Sequence, residues 1–161
     1  MNKKISIEEL NISFVDSYVE HLCRHMQNSG IKNNIIYTPY EIGFEHDAVK
    51  IKENIVRGLE TSLSSPNWQR IFIMLNEEKL IVGHLNLKGD HLPTTLHRCL
   101  LGMGLNEEYR GLGYGTLLLQ YAINWVTLHT TLVWIDLFAF THNTAGIALY
   151  KKLGFKITGT V

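Results

Sequence analysis

The stretch EEYRGLGYGT, residues 107–116, decides the fold, because it sets three glycines on alternate positions between an arginine and an apolar segment. The apolar segment that follows repeats at helical spacing, at Leu118, Tyr121, Ala122 and Trp125. A helix N-terminus has about four unpaired N–H groups and carries roughly half a positive charge. Glycines keep side chains away from those groups. The stretch therefore predicts a helix over 116–126 whose first turn binds an oxygen-rich anion such as a phosphate or pyrophosphate.

Two common phosphate-binding motifs do not fit this spacing. A P-loop requires a lysine directly after its last glycine, and Thr116 follows here. The dinucleotide fingerprint begins directly after a strand, whereas residues 106–109 separate the predicted strand from the first glycine. Asp136 follows the loop by about 20 residues, but it lies in the middle of a predicted strand and cannot reach a ribose. A nicotinamide-nucleotide site is therefore disfavoured.

Composition indicates one globular domain spanning residues 1–161. Hydrophobic residues make up 45% of the chain and charged residues 19%. Lys plus Arg equals Asp plus Glu, at 15 each, so the protein has no net field that would attract nucleic acid or an anionic membrane. Cys23 and Cys99 lie far apart and predict neither a zinc site nor a disulfide. The N-terminus lacks the apolar core of a signal peptide, and we expect a cytoplasmic protein.

Periodicity predicts helices in the first third of the chain and mainly strands after residue 70. After an extended start at 5–7, Ser13 and Asp16 resemble a capping box for a helix that ends at Gly30. A loop over 31–44 precedes a second helix. The remaining predicted elements are helices at 47–63 and 144–152 and strands at 70–75, 80–87, 98–105, 131–140 and 155–158. This order predicts a mixed α/β sheet with helices on both faces.

Two stretches together resemble the GCN5-related N-acetyltransferase (GNAT) superfamily. CLLGMGLNEEYRGLGYGTLLLQYAINW, residues 99–125, is similar to the strand 4, pyrophosphate loop and helix 3 of that family, with the signature [R/Q]-x-x-G-x-[G/A] at 110–115. VWIDLFAFTHNTAGIALYKKLGF, residues 133–155, is similar to its strand 5 and the following helix. The resemblance implies the GNAT fold, a mixed central sheet with an antiparallel N-terminal part and parallel, splayed strands 4 and 5, flanked by helices on both faces.

The resemblance also implies acetyl-CoA as cosubstrate, with no metal. In the family, pyrophosphate lies on the backbone of the glycine loop, which here comprises Arg110, Gly111, Leu112, Gly113, Tyr114, Gly115 and Thr116. The pantetheine amides and the acetyl carbonyl pair with the exposed edge of strand 4, which here is Met103, Gly104 and Leu105. The two glycines of that strand, Gly102 and Gly104, predict a bulge or a close approach of another backbone.

Asn143, Ile147 and Tyr150 share one face of the predicted last helix, because they are spaced i, i+4 and i+7. Asn143 is also a suitable N-cap, and Tyr150 could instead be a core tyrosine. With the resemblance, Asn143 and Ile147 are expected beside the cofactor and Tyr150 beside its sulfur. A phenol with a pKa of about 10 is protonated at pH 7 and can donate to the departing thiolate, so Tyr150 is the predicted general acid.

The sequence leaves the general base and the acceptor open. His84, His97, Asp136, Glu41 and Glu45 are candidate bases, with Asp136 favoured as a structural carboxylate, and many family members use a chain of waters instead. Four aromatic residues of the N-terminal half could line the acceptor pocket, although aromatic residues in loops over a core usually serve in packing: Tyr37, Tyr40, Phe44 and Trp68. The acceptor could be a small-molecule amine, an amino acid or a protein N-terminus.

These observations predict an N-acetyltransferase that moves an acetyl group to a primary amine by direct attack in a ternary complex. The alternative is a GNAT-fold module that binds CoA, as a sensor, without transferring the acyl group. A homodimer is plausible by family analogy alone. Most relatives have a further strand after the Gly-Phe strand, so the sheet ends early here, a neighbouring subunit completes it, or the chain is truncated after Val161.

Overall fold

The computed structural model describes residues 3–32 and 34–160. Asn33 of the predicted loop and the ends of the predicted domain at Met1, Asn2 and Val161 lie outside the described residues. Five strands form one sheet in the order β1-β2-β3-β4-β5, in which only the β4–β5 pair is parallel. The strands are β1 Ser6–Glu9, β2 Gln69–Leu75, β3 Ile81–Gly89, β4 Arg98–Leu105 and β5 Trp134–Asp136. The helices are α1 Val15–Gln27, α2 Ala48–Glu60, α3 Tyr114–His129 and α4 Thr144–Lys152. The predicted mixed α/β sheet is confirmed.

Two apolar cores cover the two faces of the sheet. Residues 71–75 of β2 are buried without interruption, which is possible because alternate side chains point to opposite faces. Phe72 and Met74 pack with α3, and Ile71 and Ile73 pack with α1 and α2. Helices therefore lie on both faces of the sheet, as the resemblance implied.

The start of α1 differs from the predicted capping box. The Asn11 side chain accepts a hydrogen bond from the Ser13 N–H at 3.0 Å, and residues 12–14 form a short 3₁₀ turn. α1 then begins at Val15 after Phe14, which contributes no side-chain cap. Asn11 has taken the capping position because an Asx side chain readily bonds to a backbone N–H two residues on.

The ends of other elements also differ from the sequence prediction. α2 starts after Asp47, whose carboxylate accepts from the N–H groups of Val49 and Lys50, and it ends at Glu60 rather than at residue 63. Its end is fixed by Arg70, which donates to the Gly58, Leu59 and Thr61 carbonyls. α3 begins at Tyr114, two residues before the predicted start, because the left-handed Gly113 is its N-cap.

The C-terminal strands are shorter than predicted. β5 has three residues rather than the ten of 131–140, and within the described residues the segment 155–158 forms no strand. Instead, Gly154 adopts a φ of 93° and the Phe155 N–H donates to the Tyr150 carbonyl, which closes the end of α4. A strand needs a paired neighbour, and β5 forms the edge of the sheet. No helix in 3–32 or 34–160 is long and apolar enough to cross a membrane.

Candidate active site

The site begins where β4 and β5 separate. Their parallel pairing comprises Arg98↔Trp134, Cys99↔Ile135 and Leu100↔Asp136, and β5 ends there while β4 continues to Leu105. The backbone of 101–105 is therefore paired with β3 on one side and is not paired with β5 on the other. Backbone N–H and C=O groups at such an edge are available to a ligand. The predicted splay of the two parallel strands is confirmed.

An ion pair lies just below the point of separation. The Arg98 guanidinium donates two hydrogen bonds to the Asp136 carboxylate, each 2.7 Å long. Both carboxylate oxygens are thereby occupied, and the pair joins the first residue of β4 to the last residue of β5. This arrangement favours the structural interpretation of Asp136 over its role as a general base.

The glycine loop follows β4 after a short 3₁₀ turn at Glu107–Tyr109 and has the backbone shape that only glycine adopts easily. Gly111 and Gly113 have φ values of 71° and 88°. A Cβ atom at either position would meet no atom within 4 Å, so both glycines face open space. Gly115 differs, because a Cβ there would lie 3.1 Å from Leu149 Cδ2 of α4. The first two glycines thus shape the loop, and the third lets α4 approach α3.

Backbone donors point out of the first turn of α3. The ladder of this helix starts with the bond from the Leu117 N–H to the Gly113 carbonyl, so the N–H groups of 114–116 precede any helical acceptor. The Arg110 N–H, by contrast, already donates to the Glu107 carbonyl at 3.1 Å. The donors that a ligand can reach are therefore those from Gly111 to Thr116.

The Arg110 side chain is not free at the rim of the loop. Its Nε donates to the Leu105 carbonyl at 3.0 Å and its Nη1 donates to Asn34 Oδ1 at 2.8 Å. The guanidinium carbon lies 5.5 Å from the centroid of the Tyr37 ring. Arg110 thus joins the loop to the end of β4 and to residues 34–47, which we call the covering segment.

α4 presents its partly buried face beside this opening. The Asn143 side chain accepts from the Gly146 N–H at 3.0 Å, so the N-cap interpretation is confirmed. A Cβ on Gly115 would contact Leu149, Leu105 and Met103, so the first turn of α3, the end of β4 and α4 meet at one place. Ile147 and Tyr150 are half-buried on α4.

Tyr150 keeps its phenolic proton in this environment. Burial raises the pKa of its hydroxyl above the ordinary value of 10.0. The ring lies 5.9 Å from that of Phe155, and the hydroxyl makes no hydrogen bond with another described residue. No described protein group therefore takes this proton, and the ring also packs against the apolar core.

Three histidines, two of which sequence reasoning missed, lie over Gly104 of β4. His84 of β3 is paired with Gly104, and His21 and His25 come from successive turns of α1. A Cβ on Gly104 would lie 2.3 Å from His25 Nε2 and 2.9 Å from His84 Cε1. His21 Nε2 and His84 Nδ1 are 3.0 Å apart and hydrogen bonded, and the His25 ring meets the His84 ring edge to face at 5.0 Å. The signal in the sequence was the spacing of two histidines on the apolar side of a helix.

All three rings are uncharged at neutral pH. Burial, with a smaller contribution from Arg24, lowers the pKa of His21 to about 4. Burial, assisted by His21 and Arg110, lowers the pKa of His25 to about 4. Burial holds the pKa of His84 well below its usual value. The cluster can accept hydrogen bonds or protons, and it would not repel an ammonium group.

The close approach to Gly102 and Gly104 is made by side chains rather than by another backbone. A Cβ on Gly102 would lie 2.6 Å from Asn86 Oδ1. The β3–β4 register runs without interruption from Gly83↔Leu105 to Gly89↔Cys99, so no bulge forms here. The polar atoms of His25 and Asn86 thus lie directly against the backbone of β4.

The other candidate bases lie elsewhere. His97 is exposed and precedes β4, roughly 20 Å along the strand from Gly104 at about 3.3 Å per residue. Glu41 and Glu45 are exposed in the covering segment.

The covering segment lies across the histidines through Tyr37. The Tyr37 and Thr38 N–H groups donate to the buried Ser29 Oγ at 2.9 and 3.1 Å, and the Tyr37 hydroxyl donates to the His25 carbonyl at 2.8 Å. The Tyr37 ring lies 4.7 Å from the His25 ring.

The other predicted pocket aromatics are placed differently. Tyr40 and Phe44 stack on each other at 5.2 Å within the covering segment. Trp68 is fully buried in the core, where a Cβ on Gly89 would touch its indole. The expectation that Trp68 lines an acceptor pocket is therefore wrong, because its large apolar ring is used in packing.

Within 3–32 and 34–160, no group of three or more His, Cys, Asp or Glu side chains is arranged to hold a metal ion. The three histidines over Gly104 contact one another at ring edges and faces, and their nitrogens do not converge on one point.

Comparison with known proteins agrees with this architecture. Residues 33–155 match the sequence profile of the Acetyltransferase (GNAT) family. An L-amino acid N-acetyltransferase of Escherichia coli K12, AaaT, is 30% identical over 84 residues, which are 50% of this chain and 49% of the relative. The chain thus spans about half the length of that relative.

Solved structures share the fold over almost the whole chain. The GNAT-family acetyltransferase of Streptococcus pneumoniae superposes with a TM-score of 0.79 at 23% identity, covering 97% of this chain and 86% of that one. Spermidine N-acetyltransferase from Vibrio cholerae, solved with CoA and spermine, gives a TM-score of 0.70 at 16% identity, covering 99% and 85%.

Proposed function

Because the chain belongs to the acetyltransferase (GNAT) family, we propose that it transfers the acetyl group of acetyl-CoA to a primary amine by direct attack in a ternary complex. The observation that carries this proposal is the opening of β4 after Leu100 next to a helix N-terminus with unpaired donors. An unpaired strand edge suits the amides of an extended pantetheine chain, and a helix N-terminus suits its pyrophosphate. The two features are adjacent in space, since a Cβ on Gly115 of α3 would contact both Met103 and Leu105 of β4.

Acetyl-CoA would be held mainly by backbone groups. Pyrophosphate binds the N–H groups from Gly111 to Thr116, and the pantetheine arm pairs with β4 at 103–105. Arg110 contributes by holding the Leu105 carbonyl and the loop in place, since its guanidinium and its N–H are both engaged. Asn143 uses its side-chain oxygen as a cap, which leaves its amide N–H₂ group for the cofactor, and Ile147 packs beside it.

The chemistry follows from the movement of protons. An amine with a reference pKa near 10 must lose a proton before its nitrogen can attack the thioester carbon. As the C–N bond forms, backbone N–H groups of 103–105 stabilise the oxyanion. As the C–S bond breaks, the thiolate takes the phenolic proton of Tyr150. The products are an N-acetylated amine and free CoA.

The class of acceptor is proposed only as a primary amine: a small molecule, an amino acid or a protein N-terminus. The names of the relatives include an L-amino acid and spermidine, which both carry primary amines. The neutral histidines beside β4 are compatible with an acceptor that arrives as an ammonium ion. Cytoplasmic location and a homodimer stay predictions.

Release of CoA thiol tests the proposal directly. The full chain is incubated with acetyl-CoA and a panel of L-amino acids, polyamines and peptides with free N-termini. We expect turnover with at least one amine, and Tyr150→Phe should lower kcat by about 100-fold or more while acetyl-CoA binding is kept. Tyr121→Phe is the matched control, because Tyr121 is a partly exposed tyrosine of α3 whose ring packs on Phe72.

Two outcomes would overturn the proposal. CoA binding without turnover on any amine would support the non-catalytic module. Thermal stabilisation by NAD rather than by CoA would reject the assignment of the loop.

A further inference from the structure

We propose that His25 takes the proton from the acceptor amine, and that His84 and His21 act as positioning residues that hold its ring over Gly104. This inference rests on the proposed function, because it assigns the base of that same site.

The first support is the place of the His25 ring relative to the opened edge of β4. A Cβ on Gly104 would lie 2.3 Å from His25 Nε2, so this nitrogen is within roughly 4 Å of the Gly104 Cα. Gly104 belongs to the part of β4 that β5 has left. A thioester carbon bound along 103–105 would therefore lie next to His25, and an amine attacking it from the α1 face of the sheet would meet Nε2.

The second support is the difference between His25 and the other two histidines. His21 and His84 are only 3% and 4% exposed, and each uses one ring nitrogen in their mutual hydrogen bond. In the neutral pair one ring must donate and the other accept, which fixes their tautomers relative to each other. His25 is half-buried, and its ring nitrogens make no hydrogen bond with any described residue. His25 is thus the member of the cluster with a nitrogen left for a ligand.

The third support is the charge around His25. The titratable groups that face it are His21 from α1, His84 from β3, Tyr37 from the covering segment and Arg110 from the glycine loop. None of these is an anion at neutral pH, and burial and Arg110 oppose a positive charge on the ring. His25 is therefore unprotonated before the reaction. It accepts a proton only after the C–N bond has formed and has made the attacking nitrogen strongly acidic.

The protons balance when His25 acts together with Tyr150 in the acetyl transfer. The acceptor ammonium first loses one proton to solvent. The neutral amine then forms the C–N bond and passes a second proton to His25, while the departing sulfur takes one proton from Tyr150. Water then carries the proton from His25 back to Tyr150. One proton has moved from nitrogen to sulfur, and both side chains are restored.

The test compares variants at His25 in steady-state turnover with the best amine of the panel. His25→Gln keeps an amide that can hydrogen bond but cannot take a proton. We expect kcat to fall by about 100-fold, with the Kd for acetyl-CoA within about twofold of wild type. His25→Ala should be rescued in part by imidazole added to the assay, which a merely structural role would not allow. His129→Gln is the control, because His129 is exposed on α3, on the opposite face of the sheet.

A second variant protects the test if the His25 substitutions fail to fold. Gly104→Ala keeps the histidine but places a methyl group where its ring lies, so we expect a similar loss of turnover. The role of His25 would be overturned by full activity of His25→Gln or of Gly104→Ala. It would also be overturned if imidazole did not restore the activity lost in His25→Ala. In either case, turnover by the wild-type protein would still support the proposed function. Absence of wild-type turnover on every amine would instead remove the proposed function, and this inference with it.

Discussion

Replacing Gly113 by alanine separates what the glycine loop does for a ligand from what it does for folding. Gly113 has a φ of 88°, and a left-handed conformation costs a residue with a Cβ roughly 1–2 kcal/mol. A Cβ there meets no atom of the protein within 4 Å, so the methyl group causes no clash and projects into the space in front of the α3 N-terminus. Alanine is the better probe than valine, because a β-branched side chain adds strain at this φ.

The expected loss of affinity can be estimated from the donors that the methyl group would obstruct. A hydrogen bond between a backbone N–H and a charged phosphate oxygen contributes about 1.5–3 kcal/mol. Loss of one such bond raises the Kd for CoA by roughly 10-fold to 100-fold. The Kd is measured by isothermal titration calorimetry, and the free energy of unfolding by urea denaturation.

Gly43→Ala is the matched control. Gly43 has a φ of 82° and equally open surroundings, but it lies in the covering segment. Both variants should lose a similar amount of stability, and only Gly113→Ala should lose CoA affinity. Equal CoA affinity in Gly113→Ala and wild type would refute the assignment of the loop as the pyrophosphate site.

Two more predictions concern charged groups. His21 and His25 have pKa values of about 4, below the value of 6.5 for an unfolded histidine. Between about pH 6.5 and pH 4 the unfolded chain therefore binds protons that the folded chain does not. The free energy of unfolding falls as the pH is lowered through that window. His21, with a pKa of about 4, accounts for on the order of 3 kcal/mol of this fall in the free energy of unfolding. Urea denaturation at pH 7.5 and 4.5 should therefore give a smaller difference in the free energy of unfolding for His21→Gln than for wild type. Asp136→Asn should lower the thermal midpoint and leave the turnover rate within about threefold of wild type, because Arg98 occupies the Asp136 carboxylate. A fall in the turnover rate by about two orders of magnitude would instead identify Asp136 as a base.

The glycine loop and the helix N-termini beside it could be predicted from sequence because their determinants are local. The glycine loop that leads into α3 and the cap at Asn143 each follow from residues a few positions apart, although α3 begins two residues before its predicted start. The extended strand β4 was predicted with its observed bounds. The predicted cap at the start of α1 was wrong, because the side chain of Asn11 rather than that of Ser13 accepts the local backbone hydrogen bond.

The histidine cluster over Gly104 could not be predicted because it depends on packing between distant segments. His21 and His84 are 63 residues apart, and their contact requires the packing of α1 on β3. The length of β5 depends on how far β4 stays beside it, which apolar composition does not encode. The sequence left open whether Trp68 lines a pocket or packs in the core, because its contact with Gly89 is not visible in a linear pattern.

The contacts of Arg110 bear on protein engineering. The residue that opens the glycine signature holds a carbonyl of the preceding strand at Leu105 and an amide at Asn34, far away in the chain, and its guanidinium lies over Tyr37. The loop therefore cannot be grafted into another protein by itself, because Arg110 would lose its hydrogen-bond partners there. A graft that aims to transfer cofactor binding needs residues 34–37 and the end of β4 as part of the same unit.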